Sequence, residues 1–167
     1  MKPLKTDLTT IDEFAATKTV ENDRFRDFLK SQDSTVIDEL VQELNADITP
    51  KIDCTACGNC CKSLMINITE PESKALADHL QMDLADVKKA YIEESLQGNM
   101  IMNTIPCPFL EGTKCSIYEH RFNECREFPH LHRPNFTDRL FGTLMYYHMC
   151  PIIFNVVEEL KDKTNFR

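Results

Sequence analysis

The sequence predicts a mostly α protein with a few short strands, a small single domain organised around a cysteine-rich metal site. Three observations predict it. Apolar residues recur at helical spacing in several separate stretches, and period-two alternation is confined to brief segments. Eight cysteines, four of them crowded into CTACGNCC from Cys54 to Cys61, lie where no ordinary core would place them. A length of 167 residues suits one hydrophobic core, and a composition 42% hydrophobic and 28% charged is that of a folded chain.

Thr10 to Glu13 reads as a capping box opening a helix that runs to about Lys30, marked by Phe14, Phe25, Phe28 and Leu29. Behind Asp33 and Ser34, the residues Val36, Ile37, Leu40, Val41 and Leu44 define a second helix. Residues 1–50 are therefore expected to be an N-terminal helical hairpin ending at Pro50, packed on a cysteine-cluster domain of residues 51–167. Past the first cysteines, Leu64, Ile66 and Ile68 alternate with Met65, Asn67 and Thr69, as in a short half-buried strand. Thr69 and Glu72 form another capping box, with Pro71 in the first turn, and open a helix to about Leu80. A further helix runs from Asp83 to about Leu96, and Gly98 ends it. The segment from Met100 to Ile105 fits a strand, and Pro106, Pro108 and Gly112 place turns around Cys107 and Cys115. Cys150-Pro151 leads a terminal helix in which Ile153, Val156, Val157 and Leu160 share one face.

Charge and hydropathy exclude several uses. The net charge of −8, from 27 acidic and 19 basic residues, repels a phosphate backbone, so nucleic acid is not an expected partner and a metal ion is. From Leu140 to Val157 there is no formal charge, a length near the roughly 18 residues of a spanning helix. Thr143, His148, Pro151 and Asn155 interrupt that stretch, so a buried core element is expected and a membrane span is not. The segment MKPLKTDLTTIDEF lacks the apolar run of a signal peptide, which points to a cytoplasmic, reducing environment in which disulfides are disfavoured.

The candidate metal ligands are Cys54, Cys57, Cys60, Cys61, Cys107, Cys115, Cys125 and Cys150. Two residues between cysteines let both sulfurs of a turn face one centre, as in zinc ribbons and ferredoxins. The doubled C-x-x-C-x-x-C step, with a remote Cys-Pro at Cys150 or Cys107, is the pattern of an iron-sulfur cluster; eight thiols also divide into two four-thiolate zinc sites. Iron-sulfur cluster and zinc are thus both open as cofactors. Adjacent Cys60 and Cys61 are expected to diverge and to serve two centres, unless one of them is structural or reactive. His130, His132 and His148 are lesser ligand candidates by their nearness to Cys125 and Cys150. The four glycines lie far apart, so no phosphate or methyl-donor loop of the G-x-G type is present and no catalytic signature emerges.

Taken together, Cys54-x-x-Cys57-Gly58-x-Cys60-Cys61, Cys107-Pro108-x-Leu110, Cys115-x-Ile117-Tyr118, Cys125-Arg126-x-Phe128-Pro129 and Cys150-Pro151 resemble the CxxCxxCC zinc- or iron-chelating domain family, the YkgJ-like cysteine cluster proteins. The resemblance implies chelation of iron or zinc by clustered thiolates. It also brings in an enzyme relative, flagellin lysine N-methylase acting with S-adenosylmethionine, so a protein-modifying enzyme is the alternative reading. Tyr146, Tyr147 and His148 are the polar-tipped cluster such a reading would use. Where the family commonly shows Arg-Pro, this chain has Arg121-Phe122, which should relax the following turn without removing a ligand. Arg121 and Arg126 are expected to offset thiolate charge, or else to pair with Glu124 or Glu127 on the surface.

Overall fold

Helices dominate, as the apolar spacing predicts, and every strand is only two or three residues long. The structure is a computed structural model and describes residues 3–167. In chain order the helices are α1 (Leu8–Ala16), α2 (Thr19–Lys30), α3 (Ser34–Ile48), α4 (Cys54–Cys57), α5 (Asn59–Ser63), α6 (Glu70–Leu80), α7 (Leu84–Tyr91), α8 (Asn123–Glu127), α9 (Phe136–Met145) and α10 (Pro151–Lys163). The strands are β1 (Asn67–Ile68), β2 (Ile92–Glu94), β3 (Met100–Met102), β4 (Leu110–Glu111) and β5 (Lys114–Cys115). They fall into two units. A helical unit combines the described residues up to Asp53 with Pro129–Arg167, and a cysteine-bearing unit comprises Cys54–Phe128.

In the helical unit, α10 is the axis. Every residue from Pro151 to Val157 is buried, as is Leu160, so this helix is apolar nearly all round and packs on α3 and α1. The uncharged stretch from Leu140 to Val157 is thus split between α9 and α10, and among the described residues no helix is long and apolar enough to cross a membrane. Pro151 at the first position suits α10, because its missing N–H would be unsatisfied there anyway. The buried Asn155 amide donates to the Lys5 carbonyl at 2.7 Å and its oxygen accepts the Lys5 N–H at 3.0 Å, which pins the segment before α1. From α3, Asp38 reaches the start of α9 and accepts the N–H groups of Asn135 at 2.7 Å and Phe136 at 2.8 Å.

The first helix begins earlier than the Thr10 signature predicts and is broken. Asp7 is the cap, its carboxylate accepting both the N–H and the hydroxyl of Thr10. An ionised Asp is as good a cap as any and outcompetes Thr three residues on. The Thr17 hydroxyl donates to the Phe14 carbonyl at 2.7 Å, a local bond that ends α1, and α2 restarts at Thr19.

In the cysteine-bearing unit, β1, β3 and β2 form an antiparallel sheet with Ile68 opposite Met100 and Ile92 opposite Met102. The helix expected to reach Leu96 therefore stops at Tyr91: Ile92 is extended (φ −124°, ψ 132°) and buried in the ladder. A β-branched residue paired on a buried face outweighs helix propensity here. Thr69 and Glu72 make the expected capping box at the start of α6. Ile66, Ile68, Leu76, Val87, Met102, Phe109, Ile117 and Phe122 form the core, with α6 and α7 packed together. Phe122 replaces the family's proline at φ −58°, a value proline would also adopt, and its buried ring holds the turn in place.

Candidate metal centre

The stretch CTACGNCC is two helical turns joined by a kink, where its polar composition suggests a loop. Cys54 and Cys57 bracket α4, one turn apart. Gly58 then takes a left-handed conformation, φ 58°, and α5 carries Cys60 and Cys61. Glycine is required twice over at this position. The backbone angle disfavours a side chain, and a Cβ would stand 2.7 Å from the Thr113 carbonyl oxygen and 2.8 Å from its Cα. That close approach sets α4 against β5, which bears Cys115.

Three other segments supply thiols to the same unit. Cys107 lies between the cis Ile105–Pro106 bond and the β4–β5 hairpin, and its N–H donates to the Cys61 carbonyl at 2.8 Å. Cys115 pairs with Leu110 across that hairpin, and the Ser116 N–H donates to the Phe109 carbonyl at 2.8 Å. Cys125 sits in α8, whose first two residues are tied down at long range. Asn123 N–H donates to Glu72 at 2.6 Å, and the Glu124 carboxylate accepts the Asn67 N–H and, at 3.0 Å, its side-chain amide. Cys107, Cys115 and Cys125 are half-buried and pack against the core of this unit.

Electrostatics gathers four of these thiols into one neighbourhood. A hydrogen bond from the Cys60 side chain, working against burial, lowers the Cys61 thiol to about 7. Cys61 is thus poised to be a thiolate at neutral pH. Burial raises Cys107 and Cys115, and the negative charge of Cys61 raises both further, while Arg121 partly relieves Cys115. Burial, then the charges of Cys61, Cys107, Cys115 and Glu124, push Cys125 up to about 12. Cys107, Cys115 and Cys125 therefore resist ionising, first because they are buried and further because the Cys61 charge is close, which is the condition a bound cation reverses. Soft thiolates at this density suit zinc or iron, so the donor set fits the implied metal. Among the described residues no three Cys, His, Asp or Glu side chains stand in ligating geometry.

The neighbouring pair differs from expectation. Cys60 and Cys61 do not diverge: their side chains are hydrogen-bonded, because α5 turns successive residues by about 100° where a strand would oppose them. The arginines brace the turn that precedes α8. Arg126 donates to the Arg121 carbonyl at 3.0 Å and the Glu119 carbonyl at 2.8 Å, clamping the turn before α8. Arg121 lies over the Tyr118 ring at 3.8 Å, and its charge reaches the thiol of Cys115.

Cys150 belongs to the helical unit, buried at the N-cap of α10 as its Cys-Pro sequence suggests. His130, His132 and His148 are in that unit too. In the cysteine-bearing unit, His79 and His120 stack face to face with ring centres 4.0 Å apart. Glu124, which anchors α8 to β1, was not singled out as an anchor by the sequence, since its partner Asn67 is 57 residues away.

Short helical turns and tight hairpins that converge several half-buried thiols define the class of thiolate metal-chelating domains. Residues 53–151, more than half of the chain, match the family described as CxxCxxCC, "Putative zinc- or iron-chelating domain", and the chain belongs to it. No curated protein and no solved structure matches the chain.

Proposed function

We propose that this protein binds zinc or iron through a four-thiolate centre made by Cys61, Cys107, Cys115 and Cys125. The reading is supported by the Cys107 N–H bonded to the Cys61 carbonyl at 2.8 Å and by Cys107, Cys115 and Cys125 packing on one core, with the Cys61 charge raising all three. Cys61 supplies the first thiolate at neutral pH, and the binding of a cation favours release of the remaining protons. Cys60 supports Cys61 by its hydrogen bond, while Cys54 and Cys57 on α4 remain candidate ligands to a larger or second centre. A four-thiolate set takes a tetrahedral zinc ion, or an iron-sulfur cluster that would add electron transfer or redox sensing. Family membership supports chelation as the activity, and among the described residues no helix is long and apolar enough to cross a membrane.

Anaerobic purification followed by elemental analysis and a visible spectrum tests this. Stoichiometric zinc in a colourless protein, or matched iron and sulfide in a brown one, is expected, with metal content falling in Cys61→Ser and Cys125→Ser. Metal-free protein under these conditions, or full occupancy in both variants, rejects the assignment.

A further inference from the structure

The helical unit carries an open cavity of about 400 Å³, lined by α1, α2, α9 and the turn after α9, and no cysteine is among its lining residues. The half built by α1 and α2 lies outside residues 53–151, the stretch shared with the family. Its volume is in the lower part of the roughly 300–1,000 Å³ range of small-molecule sites.

The cavity's polar floor is held by a closed network. Asn22 and Tyr147 line it, and both are buried. Lys161 Nζ donates to Asn22 Oδ1 at 2.6 Å, Glu21 Oε1 at 2.9 Å and Glu158 Oε1 at 2.7 Å. The Tyr147 hydroxyl donates to Glu158 Oε1 at 2.7 Å, and burial with the Glu158 charge keeps it protonated. This network is satisfied internally and fixes the floor in place.

The wall is different. Arg26, from α2, has a side chain only 25% exposed, yet its nearest carboxylates, Asp23 at 3.7 Å and Asp27 at 3.8 Å, stand beyond hydrogen-bond range. Its Nε is buried with no hydrogen-bond partner, and the guanidinium lies 5.6 Å from the Phe141 ring centre. A guanidinium carries five N–H donors in a planar fork, and a buried donor without an acceptor calls for one. A carboxylate matches that fork with two parallel bonds. Asp12 and Asp23 line the same cavity and oppose a plain anion, but they suit an ammonium group beside the carboxylate. Leu144, Met145 and Phe141 complete the lining; the last two are 58% and 62% exposed, apolar surface left for a ligand to cover.

We propose that this cavity binds a free amino acid with an apolar side chain. Its carboxylate forks onto Arg26, its ammonium sits by Asp12 and Asp23, and its side chain covers Leu144, Met145 and Phe141. The site is separate from the thiols and does not depend on their occupancy.

Isothermal titration of the full-length protein with L-leucine, L-methionine and L-phenylalanine tests it. Saturable one-to-one binding of at least one is expected. Leucinol, which lacks the carboxylate, and 4-methylpentanoate, which lacks the ammonium, should bind at least about tenfold more weakly than L-leucine. Arg26→Gln should weaken binding by about 10- to 100-fold, and Arg26→Lys should recover only part of it, because lysine keeps the charge without the fork. Phe141→Ala, at an exposed position, gives a second variant should Arg26→Gln fail to fold, and is also expected to weaken binding. Far-UV circular dichroism checks the fold of each. No saturable binding of any of the three amino acids overturns the proposal, as does unchanged affinity in a folded Arg26→Gln or in Phe141→Ala. Equal affinity for 4-methylpentanoate and L-leucine overturns the zwitterion assignment.

Discussion

Gly58 is the residue on which the first cysteine turn and the β4–β5 hairpin meet, and two alanine substitutions separate the reasons for it. At Gly112 in the hairpin itself, φ is 65° but nothing lies within 4 Å of an added Cβ. Gly112→Ala should therefore cost only the left-handed penalty, about 1 kcal/mol. At Gly58 the same penalty applies at φ 58°, and the new methyl would also stand 2.7 Å from the Thr113 backbone. Backbone cannot swing aside as a side-chain tip can, so overpacking adds about 1–3 kcal/mol and the total is about 2–4 kcal/mol. Thr113 is two residues from Cys115, so displacing it should also weaken metal retention by about tenfold, the scale on which misplaced supports affect a metal site. Urea denaturation followed by far-UV circular dichroism measures the first effect, and competition with a chromophoric chelator the second. If Gly58→Ala is no more destabilising than Gly112→Ala, the close approach contributes nothing and the reasoning fails.

Lys161→Met leaves Glu158, about a fifth exposed, without its cation; it should destabilise the protein by about 3 kcal/mol, since Glu21 is more exposed and adds little. A loss below about 1 kcal/mol in urea at pH 7 would refute the role given to this network. Burial works to raise the Glu21 carboxyl, but Lys18 and Lys161 outweigh it and hold it below 4.5, so its stabilising share is present above pH 4.5 and fades as pH falls through the lower folded value. The gap between wild type and Lys161→Met should accordingly narrow in urea titrations at pH 3.5, by no more than the small share that Glu21 contributes. In metal-free protein, iodoacetamide should label Cys61 with a rate that rises through about pH 7, while Cys125, pushed up to about 12, lags far behind; equal labelling at pH 8 by peptide mass spectrometry contradicts the charge coupling. Chelation of the metal should lower the calorimetric melting temperature by several degrees, because ligation energy is folding energy in small thiolate sites, and an unchanged melt would deny the metal that structural role.

Local signals carried most of the helical fold. The Asp33 cap of α3, the Thr69–Glu72 box of α6 and Pro151 at the head of α10 each act within a few residues and can be read directly. What escaped reading acts across distance. Asp38 caps α9 from 97 residues away, and Ile92 leaves its helix for a strand only because Met102 is there to pair with it. The same holds for the candidate centre. Its cysteines were plain from their spacing, but which of them converge depends on Glu72 and Glu124 fixing α8 and on Gly58 admitting the hairpin, none of which leaves a periodic trace. The CTACGNCC stretch shows no apolar period either, so its two helical turns were invisible beforehand.

The cysteine-bearing unit begins at Cys54 and ends at Phe128, with both flanks of the chain built into the helical unit. In polymer terms it is a closed loop, not a tail. While the helical unit stays folded, loss of metal releases a segment whose two ends remain tethered, and a tethered loop has far fewer unfolded conformations than a free chain of the same length. The helical unit would thereby act on the thiols of that segment as a cross-link does, limiting how far they could scatter when empty. Excised from its flanks, the segment Cys54–Phe128 would lose that restraint.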